Sequence, residues 1–228
     1  MEIIHSARAE ERVGLIIFDL DGTLADTIES IREGINRTMK HYGYPERSYE
    51  QVRTAIGNGA RRLVQRSMPS ELSSDETLLS EVFEYYNRAY GETYRHCDHC
   101  YDGMYESLLR LKEKGYALAI LSNKQDAYVK ALNEILFPAD LFSVAEGQAV
   151  GAPVKPDPTV PLSIARRLGF SPEQTAFVGD SEVDVQTGLN SGMLAVGCSW
   201  GYRERALLKE TGADVILDHP TELCALFL

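Results

Sequence analysis

The chain has 228 residues, long enough for one large domain, or a domain with an insertion, to bury a substantial core. Its formal net charge of −11 argues against nucleic-acid binding, since contacts to the phosphate backbone need a basic surface. No apolar run approaches the roughly 20 residues of a membrane span, and the first residues are polar rather than typical of a signal peptide. We therefore expect a cytoplasmic protein with no nucleic-acid or membrane partner.

The first predicted element is a buried strand, Val13–Phe18, which is followed directly by Asp19 and Asp21. Because side chains alternate along a strand, both carboxylates should emerge on one side at the C-terminal edge of the sheet, where open α/β sheets bind ligands. Like charges this close need a cation or a shared proton. Gly22 and Thr23 are predicted to turn the chain and to offer free backbone N–H groups to an anion.

Residues 28–95 carry helical signals and no strand signal, which predicts a helical module after the first strand. Capping-box spacing predicts three helix starts, at Asp26 with Glu29, at Ser48 with Gln51 and at Ser73 with Glu76. We expect this module, at 28–95, to be inserted into a core formed by residues 1–27 and 96–228.

After Tyr101, predicted strands and helices alternate to the end of the chain. The predicted strands are Tyr116–Leu121, Leu141–Ala145, Thr175–Val178, Leu194–Gly197 and Val215–Leu217. Such alternation favours an α/β fold with a doubly wound, parallel, Rossmann-like sheet and right-handed crossovers.

Polar residues follow three of the predicted elements. Ser122 and Asn123 come after one strand, and their hydroxyl and amide can hydrogen-bond a phosphoryl oxygen. Lys155 lies in a segment fixed by two prolines before a helix. Asp180 follows another strand and Asp184 lies in the next helical turn, so both carboxylates can face one cleft.

These segments resemble, in the same order, the four motifs of the haloacid dehalogenase superfamily of phosphotransferases. The string Asp-Leu-Asp-Gly-Thr-Leu-Ala-Asp-Thr at 19–27 is similar to motif I. The resemblance implies that Asp19 attacks phosphorus to form an aspartyl-phosphate intermediate and that Asp21 acts as general acid and base. It also implies that Ser122 binds phosphate and that Lys155 neutralises the nucleophile and the phosphoryl group.

The resemblance further implies a magnesium site. Asp180 and Asp184 match the acidic residues of motif IV, while Asp19 and the backbone carbonyl of Asp21 would complete the ligands. These carboxylates would repel one another without a cation. Magnesium is bound by one or two carboxylates, waters and substrate phosphate oxygens, so Mg²⁺ is the expected cofactor.

By the same resemblance, the helical module corresponds to a cap that closes over the core and selects the leaving group. The segment Gly57–Val64 is similar to the cap segment of phosphoglycolate phosphatases, which implies that Asn58 and Arg61 bind a small carboxylate. A plain helix–turn–helix with solvated arginines is the alternative. The expected activity is Mg²⁺-dependent hydrolysis of a small phosphorylated metabolite, foremost 2-phosphoglycolate, by a monomer or homodimer.

Other activities stay open on the same core. A phosphomutase of the β-phosphoglucomutase type would need an aspartyl-phosphate that survives water, and the helix after motif I lacks the histidine that this group tends to carry near its start. A pyrophosphatase is a close variant of the phosphatase hypothesis. A non-catalytic binding protein is disfavoured, because every catalytic position is filled.

The four cysteines are too few for a disulfide framework in a chain of this length. Two of them belong to the segment His96-Cys97-Asp98-His99-Cys100, whose spacing could bind zinc. A structural zinc site would need a matching second pair of ligands, and the sequence offers none. We interpret the segment as a loop with reduced thiols that leads back into the core.

Overall fold

The computed structural model describes residues 1–4, 13–96 and 99–228. The strands of its sheet are β1 (Glu2–Ile3), β2 (Leu15–Phe18), β3 (Ala117–Gln125), β4 (Val144–Gln148), β5 (Thr175–Gly179), β6 (Leu194–Cys198) and β7 (Val215–Leu217). Their order across the sheet is β1-β7-β6-β5-β2-β3-β4. Neighbouring strands are parallel except β1 and β7. The predicted α/β fold with a parallel sheet is confirmed.

Within the described residues the chain forms ten α-helices. Four lie between β2 and β3, namely α1 (Ile28–His41), α2 (Tyr49–Ala55), α3 (Ala60–Ser67) and α4 (Glu76–Thr93). The others are α5 (Met104–Glu113), α6 (Asp126–Leu136), α7 (Thr159–Leu168), α8 (Glu182–Asn190), α9 (Arg205–Thr211) and α10 (Glu222–Phe227). No helix in the described part of the chain has both the length and the apolar character needed to cross a bilayer.

The strand β2 lies at the centre of the sheet, between β3 and β5. Its apolar side chains alternate between two hydrophobic clusters. Ile16 and Phe18 pack with residues of α5 and α6 on one face, whereas Leu15 and Ile17 pack with residues of α7 on the other. Because both faces are covered, all four residues are buried, and the polar residues that follow β2 begin where the core ends.

The helices α1–α4, called the cap below, enclose an apolar cluster of their own. Its fully buried members include Ile35, Met39 and Val64. Two tyrosines of the core, Tyr128 on α6 and Tyr202 after β6, pack against the same cluster. No strand interrupts residues 28–93, all of which the structure describes, so the predicted helical character is confirmed. The boundaries of the cap as a domain stay a prediction.

The helix starts within the cap agree only in part with the predicted capping boxes. Ser48 accepts a hydrogen bond from the Gln51 N–H, and its own N–H donates to the Gln51 side chain, as predicted. The box at Asp26 is wrong, because α1 begins after Thr27, which makes no side-chain cap hydrogen bond. The spacing of the two residues was therefore not enough to predict a capping box. The box forms only where the first residue of the pair is also the residue that directly precedes the helix, as Ser48 does.

Two further predictions are displaced by a few residues. The helix start at Ser73 is wrong, because the Asp75 side chain caps α4 by accepting two backbone N–H groups. The strand predicted at Leu141–Ala145 is shifted to β4, because Leu141 and Phe142 pack into the core from the preceding loop. The short β1 was not predicted; it extends the sheet by pairing with β7.

Candidate active site

Three carboxylates come together at the C-terminal edge of the sheet. Asp19 follows β2, Asp180 follows β5 and Asp184 lies in the first turn of α8. One carboxylate oxygen from each lies within 4.8 Å of the other two, and all three residues are buried. Because β2 and β5 are neighbouring parallel strands, the residues that follow them meet at one edge. Among the described residues, this is the one group of acidic, His or Cys side chains spaced to hold a metal.

The buried ammonium of Lys155 joins two of these carboxylates. Its Nζ lies 2.8 Å from Asp19 Oδ1 and 2.6 Å from Asp184 Oδ1. The Asn123 amide holds the Lys155 main chain from both sides, accepting from its N–H at 2.9 Å and donating to its carbonyl at 3.1 Å. The same amide donates to the Gly57 carbonyl of the cap at 3.0 Å. Asn123, predicted to bind substrate, therefore ties the lysine loop to the cap.

Burial changes the protonation of this cluster. It raises the pKa of Asp19 to about 6, with Lys155 opposing the increase and Asp184 and Asp21 adding to it. Burial, followed by repulsion from Asp184 and Asp19, raises the pKa of Asp180 well above its usual value. Burial alone would lower the pKa of Lys155, but Asp184 and Asp19 raise it above its ordinary value. The lysine is therefore charged at neutral pH.

The other oxygens of Asp180 and Asp184 are held by neighbouring groups. Asp184 Oδ2 accepts hydrogen bonds from the Ser181 N–H at 3.1 Å and from the Ser181 hydroxyl at 2.6 Å. Asp180 accepts from the Tyr202 N–H at 2.6 Å and from the Thr23 hydroxyl at 3.3 Å. These contacts fix the orientation of both carboxylates without a bound ligand.

The turn after β2 differs from the prediction. The Gly22 N–H donates to the Ala25 carbonyl at 2.9 Å, and the Thr23 N–H donates to the Leu20 carbonyl at 3.3 Å. The prediction of free backbone donors is wrong, because the turn closes on itself. Gly22 is required for a different reason: its φ is +86°, and a Cβ atom there would lie 2.5 Å from Asp180 Oδ2.

A second buried ion pair lies beside the first. Lys124 Nζ lies 2.8 Å and 3.1 Å from the two carboxylate oxygens of Asp21, and 4.8 Å from the ring centre of Tyr90 in the cap. The Thr27 hydroxyl donates to Asp21 Oδ1 at 2.5 Å. The side chain of Asp21 is thus engaged by Lys124 and Thr27 and is not a member of the carboxylate trio.

Both ion pairs line a cleft between cap and core. The core side of the cleft also carries the polar side chains of Ser122 and Ser181. The cap side is mostly apolar and aromatic, and includes Ile31, Ile56, Leu63, Tyr86 and Tyr90. A phosphoryl group therefore suits the core side, whereas the cap side favours a small leaving group with few hydrogen-bonding atoms.

Arg203, in the loop after β6, fastens the cap to the core. Its two terminal nitrogens donate to the carbonyls of Arg53 and Ile56 at 2.7 Å and 2.6 Å, and its Nε lies 3.1 Å from Glu182 Oε2. In return, the Arg53 guanidinium donates to the Tyr202 carbonyl at 2.6 Å. The C-terminal end of α2 is thereby held beside the site.

The two cap residues predicted to bind a carboxylate lie elsewhere. The Arg61 guanidinium is 2.7 Å from Glu76 Oε2 and donates to the Ser80 hydroxyl at 3.1 Å, on the exposed side of the cap. Asn58 lines an adjacent depression beside Pro156 and does not line the main cleft. The structure does not bring either residue together with the carboxylates.

Among the cleft residues to which sequence reasoning gave no role are Lys124, Tyr202 and Arg203. A signal existed for Lys124, because β3 continues to Gln125 and alternation along it places Lys124 on the same side as Ser122. No local signal marks Arg203, since its cap partner Arg53 is 150 residues away in the sequence.

The histidine–cysteine segment shows no zinc site in the part that the structure describes. His96 Nδ1 lies 2.6 Å from Glu33 Oε2, and Cys100 is half-buried. Cys97 and Asp98 lie outside the described residues. Among the described residues of this segment, no group of side chains is spaced to hold a metal.

The carboxylate trio, by contrast, fits a hard divalent cation. All of its donors are carboxylate oxygens, the ligand type that Mg²⁺ takes together with water and phosphate oxygens. The three carboxylates outnumber the single ammonium of Lys155, and the raised pKa of Asp180 shows how poorly the buried cluster tolerates its own charge. A bound cation would relieve that repulsion.

Comparison with known proteins gives consistent results. A family model described as haloacid dehalogenase-like hydrolase matches residues 16–198. A phosphoglycolate phosphatase of Haemophilus influenzae is 33% identical over 93% of this chain and 97% of its own length. The crystal structure of a predicted phosphoglycolate phosphatase from Haemophilus somnus 129PT has a TM-score of 0.84 at 30% identity, covering 95% of this chain and 98% of that one.

A more distant structure shares the fold alone. It comes from Bacteroides vulgatus and is provisionally assigned as a β-phosphoglucomutase, with a TM-score of 0.71 at 19% identity. It covers 95% of this chain and 90% of its own. At that identity the likeness extends to the architecture and carries no activity across.

Proposed function

Because this chain belongs to the haloacid dehalogenase-like hydrolase family, we propose that it is a magnesium-dependent phosphatase that hydrolyses 2-phosphoglycolate. The observation that carries the proposal is the pairing of Asp19, a member of the metal-competent carboxylate trio, with Lys155 at 2.8 Å. Asp21 follows Asp19 two positions later in the chain. The similarity to proteins named phosphoglycolate phosphatase supports the choice of substrate.

The first step assigned to this site is attack of Asp19 on phosphorus. The Asp19 carboxylate forms a bond to phosphorus while the bond to the ester oxygen breaks, which yields an aspartyl-phosphate. Lys155 offsets charge on the nucleophile and on the phosphoryl oxygens during transfer. The Ser122 hydroxyl lines the cleft on the core side and is assigned to bind a phosphoryl oxygen.

Asp21 is assigned the proton transfers. It gives a proton to the departing alkoxide and then accepts one from the water that hydrolyses the aspartyl-phosphate. The Thr27 hydroxyl donates to Asp21 Oδ1 and so restrains the orientation of the carboxyl group.

Asp19, Asp180, Asp184 and the carbonyl of Asp21 are the proposed magnesium ligands. When bound, Mg²⁺ would supply positive charge for the transferring phosphoryl group. The cap, with the predicted boundaries 28–95, excludes water and contacts the leaving group, while residues 1–27 and 96–228 form the catalytic core. Monomer and homodimer are both compatible with this proposal.

The test is phosphate release from 2-phosphoglycolate, β-glucose 1-phosphate and pyrophosphate, each with Mg²⁺ and with EDTA. We expect turnover of 2-phosphoglycolate far above the others, abolished by EDTA and by Asp19→Asn. The control is Asp140→Asn, which changes an exposed aspartate and should retain activity.

Each alternative gives a distinct result. Preference for pyrophosphate would assign the pyrophosphatase activity. Conversion of β-glucose 1-phosphate without phosphate release would assign a phosphomutase. Phosphate release that survives Asp19→Asn would overturn the covalent mechanism.

A further inference from the structure

Three cationic side chains line the cleft within the described residues, and two are fully engaged. Lys155 is held between two carboxylates of the metal-competent trio. Arg203 directs its guanidinium nitrogens to two cap carbonyls and one core carboxylate. Lys124 differs, because its partner in this part of the chain is Asp21, the proposed proton donor.

The Lys124 ammonium has capacity for one more partner. An ammonium carries three N–H donors, and the two oxygens of Asp21 lie 2.8 Å and 3.1 Å from Nζ. The residue is only 9% exposed, so bulk water does not readily serve the third donor. The face of the Tyr90 ring fixes the ammonium from the cap side. An anion that enters the cleft would find a positioned, desolvated cation.

The position of Lys124 also determines which part of a substrate it contacts. Because Asp21 protonates the ester oxygen of the leaving group, that oxygen must lie within hydrogen-bond distance of Asp21. Lys124 contacts both oxygens of Asp21 and lies over the ring of Tyr90 in the cap, so its ammonium lies between the proposed proton donor and the cap side of the cleft. A carboxylate separated from that oxygen by a single carbon would reach the ammonium.

The surrounding wall adds a limit on size and polarity. Ile31, Leu63 and Tyr86 line the cap side of the cleft, and burial raises the pKa of the Tyr86 hydroxyl well above its usual value. This wall is therefore uncharged at neutral pH and offers no competing cation. A short anionic leaving group fits both the wall and Lys124, whereas a sugar would leave its hydroxyls facing apolar side chains.

We propose that Lys124 is the specificity-determining residue of this site and binds the carboxylate of the leaving group. The inference rests on the proposed phosphatase function. Lys124 belongs to the core, and its ammonium lies against Tyr90 of the cap. In this proposal Lys124 selects short phosphomonoesters of 2-hydroxy acids, and Arg61 has no role in that selectivity.

The experiment compares two substrates that differ in the carboxylate. They are 2-phosphoglycolate and 2-hydroxyethyl phosphate, which has an alcohol in its place. The quantity measured is the ratio of kcat/KM for the two substrates, in the wild type and in Lys124→Met, Lys124→Arg and Lys130→Met. Lys130 is the matched control, since it is an exposed lysine that pairs with Asp126 on α6.

We expect Lys124→Met to lower this ratio by about 10- to 100-fold, the range for one charged hydrogen bond. Lys124→Arg keeps the positive charge, so the ratio of the two kcat/KM values should stay close to that of the wild type. Lys130→Met should leave the ratio at the wild-type value. An equal fall in kcat/KM for both substrates, which leaves their ratio unchanged, would overturn the proposal. It would show that Lys124 only positions Asp21. If Lys124→Met does not fold, Lys124→Gln replaces it, and a wild-type ratio of kcat/KM in that variant at an unchanged melting temperature would overturn the proposal.

Binding without turnover provides a second readout. In the Asp19→Asn background, calorimetry should show weaker binding of 2-phosphoglycolate after Lys124→Met and a much smaller change for 2-hydroxyethyl phosphate. Equal changes for the two ligands would contradict the proposal. Failure of the wild type to release phosphate from either substrate would instead refute the proposed function, so the two failures are distinguishable.

Discussion

The two ends of the cleft are built in different ways. At the core end, Asp19 directly follows β2 and meets Lys155 from the loop between β4 and α7. At the cap end, Lys124 is held against Tyr90, and Arg203 ties the cap in place over a separation of 150 residues. Under the proposed function, this difference assigns the chemistry to residues of the core and the selection of the leaving group to contacts that require a docked cap.

Among the variants that distinguish the two ends of the cleft, Lys155→Met should have the largest effect on kcat. This change removes the ammonium that faces Asp19 and Asp184, and we expect kcat to fall by about 10²- to 10³-fold, as for the loss of an oxyanion-hole donor. The loss should be equal for 2-phosphoglycolate and 2-hydroxyethyl phosphate, since Lys155 does not contact the leaving group. Steady-state kinetics on both substrates provide the measurement.

Stability provides the control for that variant. Loss of Lys155 leaves buried carboxylates without their ammonium, which costs about 3–5 kcal/mol of unfolding free energy, so the fold must be verified by circular dichroism at the assay temperature. A loss confined to the carboxylated substrate would contradict the division between chemistry and selection.

Magnesium should bind only at the core end of the cleft and should raise the melting temperature of the protein. Binding to the native state stabilises it by about 2.7 kcal/mol at a metal concentration 100 times the Kd, so the melting temperature should rise by several degrees when Mg²⁺ replaces EDTA. The physical reason is relief of repulsion among Asp19, Asp180 and Asp184. Thermal unfolding followed by intrinsic fluorescence provides the measurement.

Two variants distinguish this cluster from the rest of the acidic surface. Asp180→Asn should abolish most of the magnesium-dependent shift and raise the melting temperature in EDTA, because it removes one repelling carboxylate. Asp140→Asn, at an exposed position, should keep the full shift. A shift that persists in Asp180→Asn would place the metal elsewhere.

A smaller change in the kinetics is expected when hydrogen bonds between cap and core are removed. Arg203→Met removes hydrogen bonds to the carbonyls of Arg53 and Ile56, and should raise KM by about 10-fold, the equivalent of one charged hydrogen bond. We expect kcat to change little, because the residues at the core end are untouched. Kinetics with 2-phosphoglycolate test this, with Arg205→Met as the matched control.

Arg205 is a suitable control because it forms surface ion pairs with Glu2 and Asp218, away from the cap. A large fall in kcat with an unchanged KM in Arg203→Met would show that the cap takes part in the chemistry. That outcome would remove the distinction between the two ends.

The sequence was sufficient to predict the core end because its residues are tied to local signals. Asp19 follows an apolar run, and Asp180 follows another, so the parallel sheet brings them to one edge. The α/β fold was predictable for the same reason, since strand and helix periodicities alternate along the chain.

The cap end was not predictable from the same kind of signal. Arg61 follows a glycine turn and suggested an anion site, yet Glu76 on a neighbouring helix holds its guanidinium. Lys124 and Arg203 acquire their roles from contacts between segments far apart in the chain. Packing between distant segments determines such contacts. Alternation along β3 could place the Lys124 side chain on the side of Ser122, but not beside Asp21 and Tyr90.

The turn at Gly22 shows a related limit. The residue types of this turn predicted free backbone N–H donors, but the N–H groups of Gly22 and Thr23 donate to carbonyls within the turn itself. The close approach of Asp180, which excludes any side chain at this position, becomes visible only once the two strands are placed side by side.

The central claim is that chemistry takes place on Asp19, and trapping the covalent intermediate tests it most directly. The enzyme is mixed with 2-phosphoglycolate and Mg²⁺, quenched in acid within milliseconds, digested and examined by mass spectrometry. The account predicts a phosphorylated peptide that carries the modification on Asp19 and is absent from Asp19→Asn. Rapid release of phosphate with no phosphorylated Asp19 at any quench time would contradict the account.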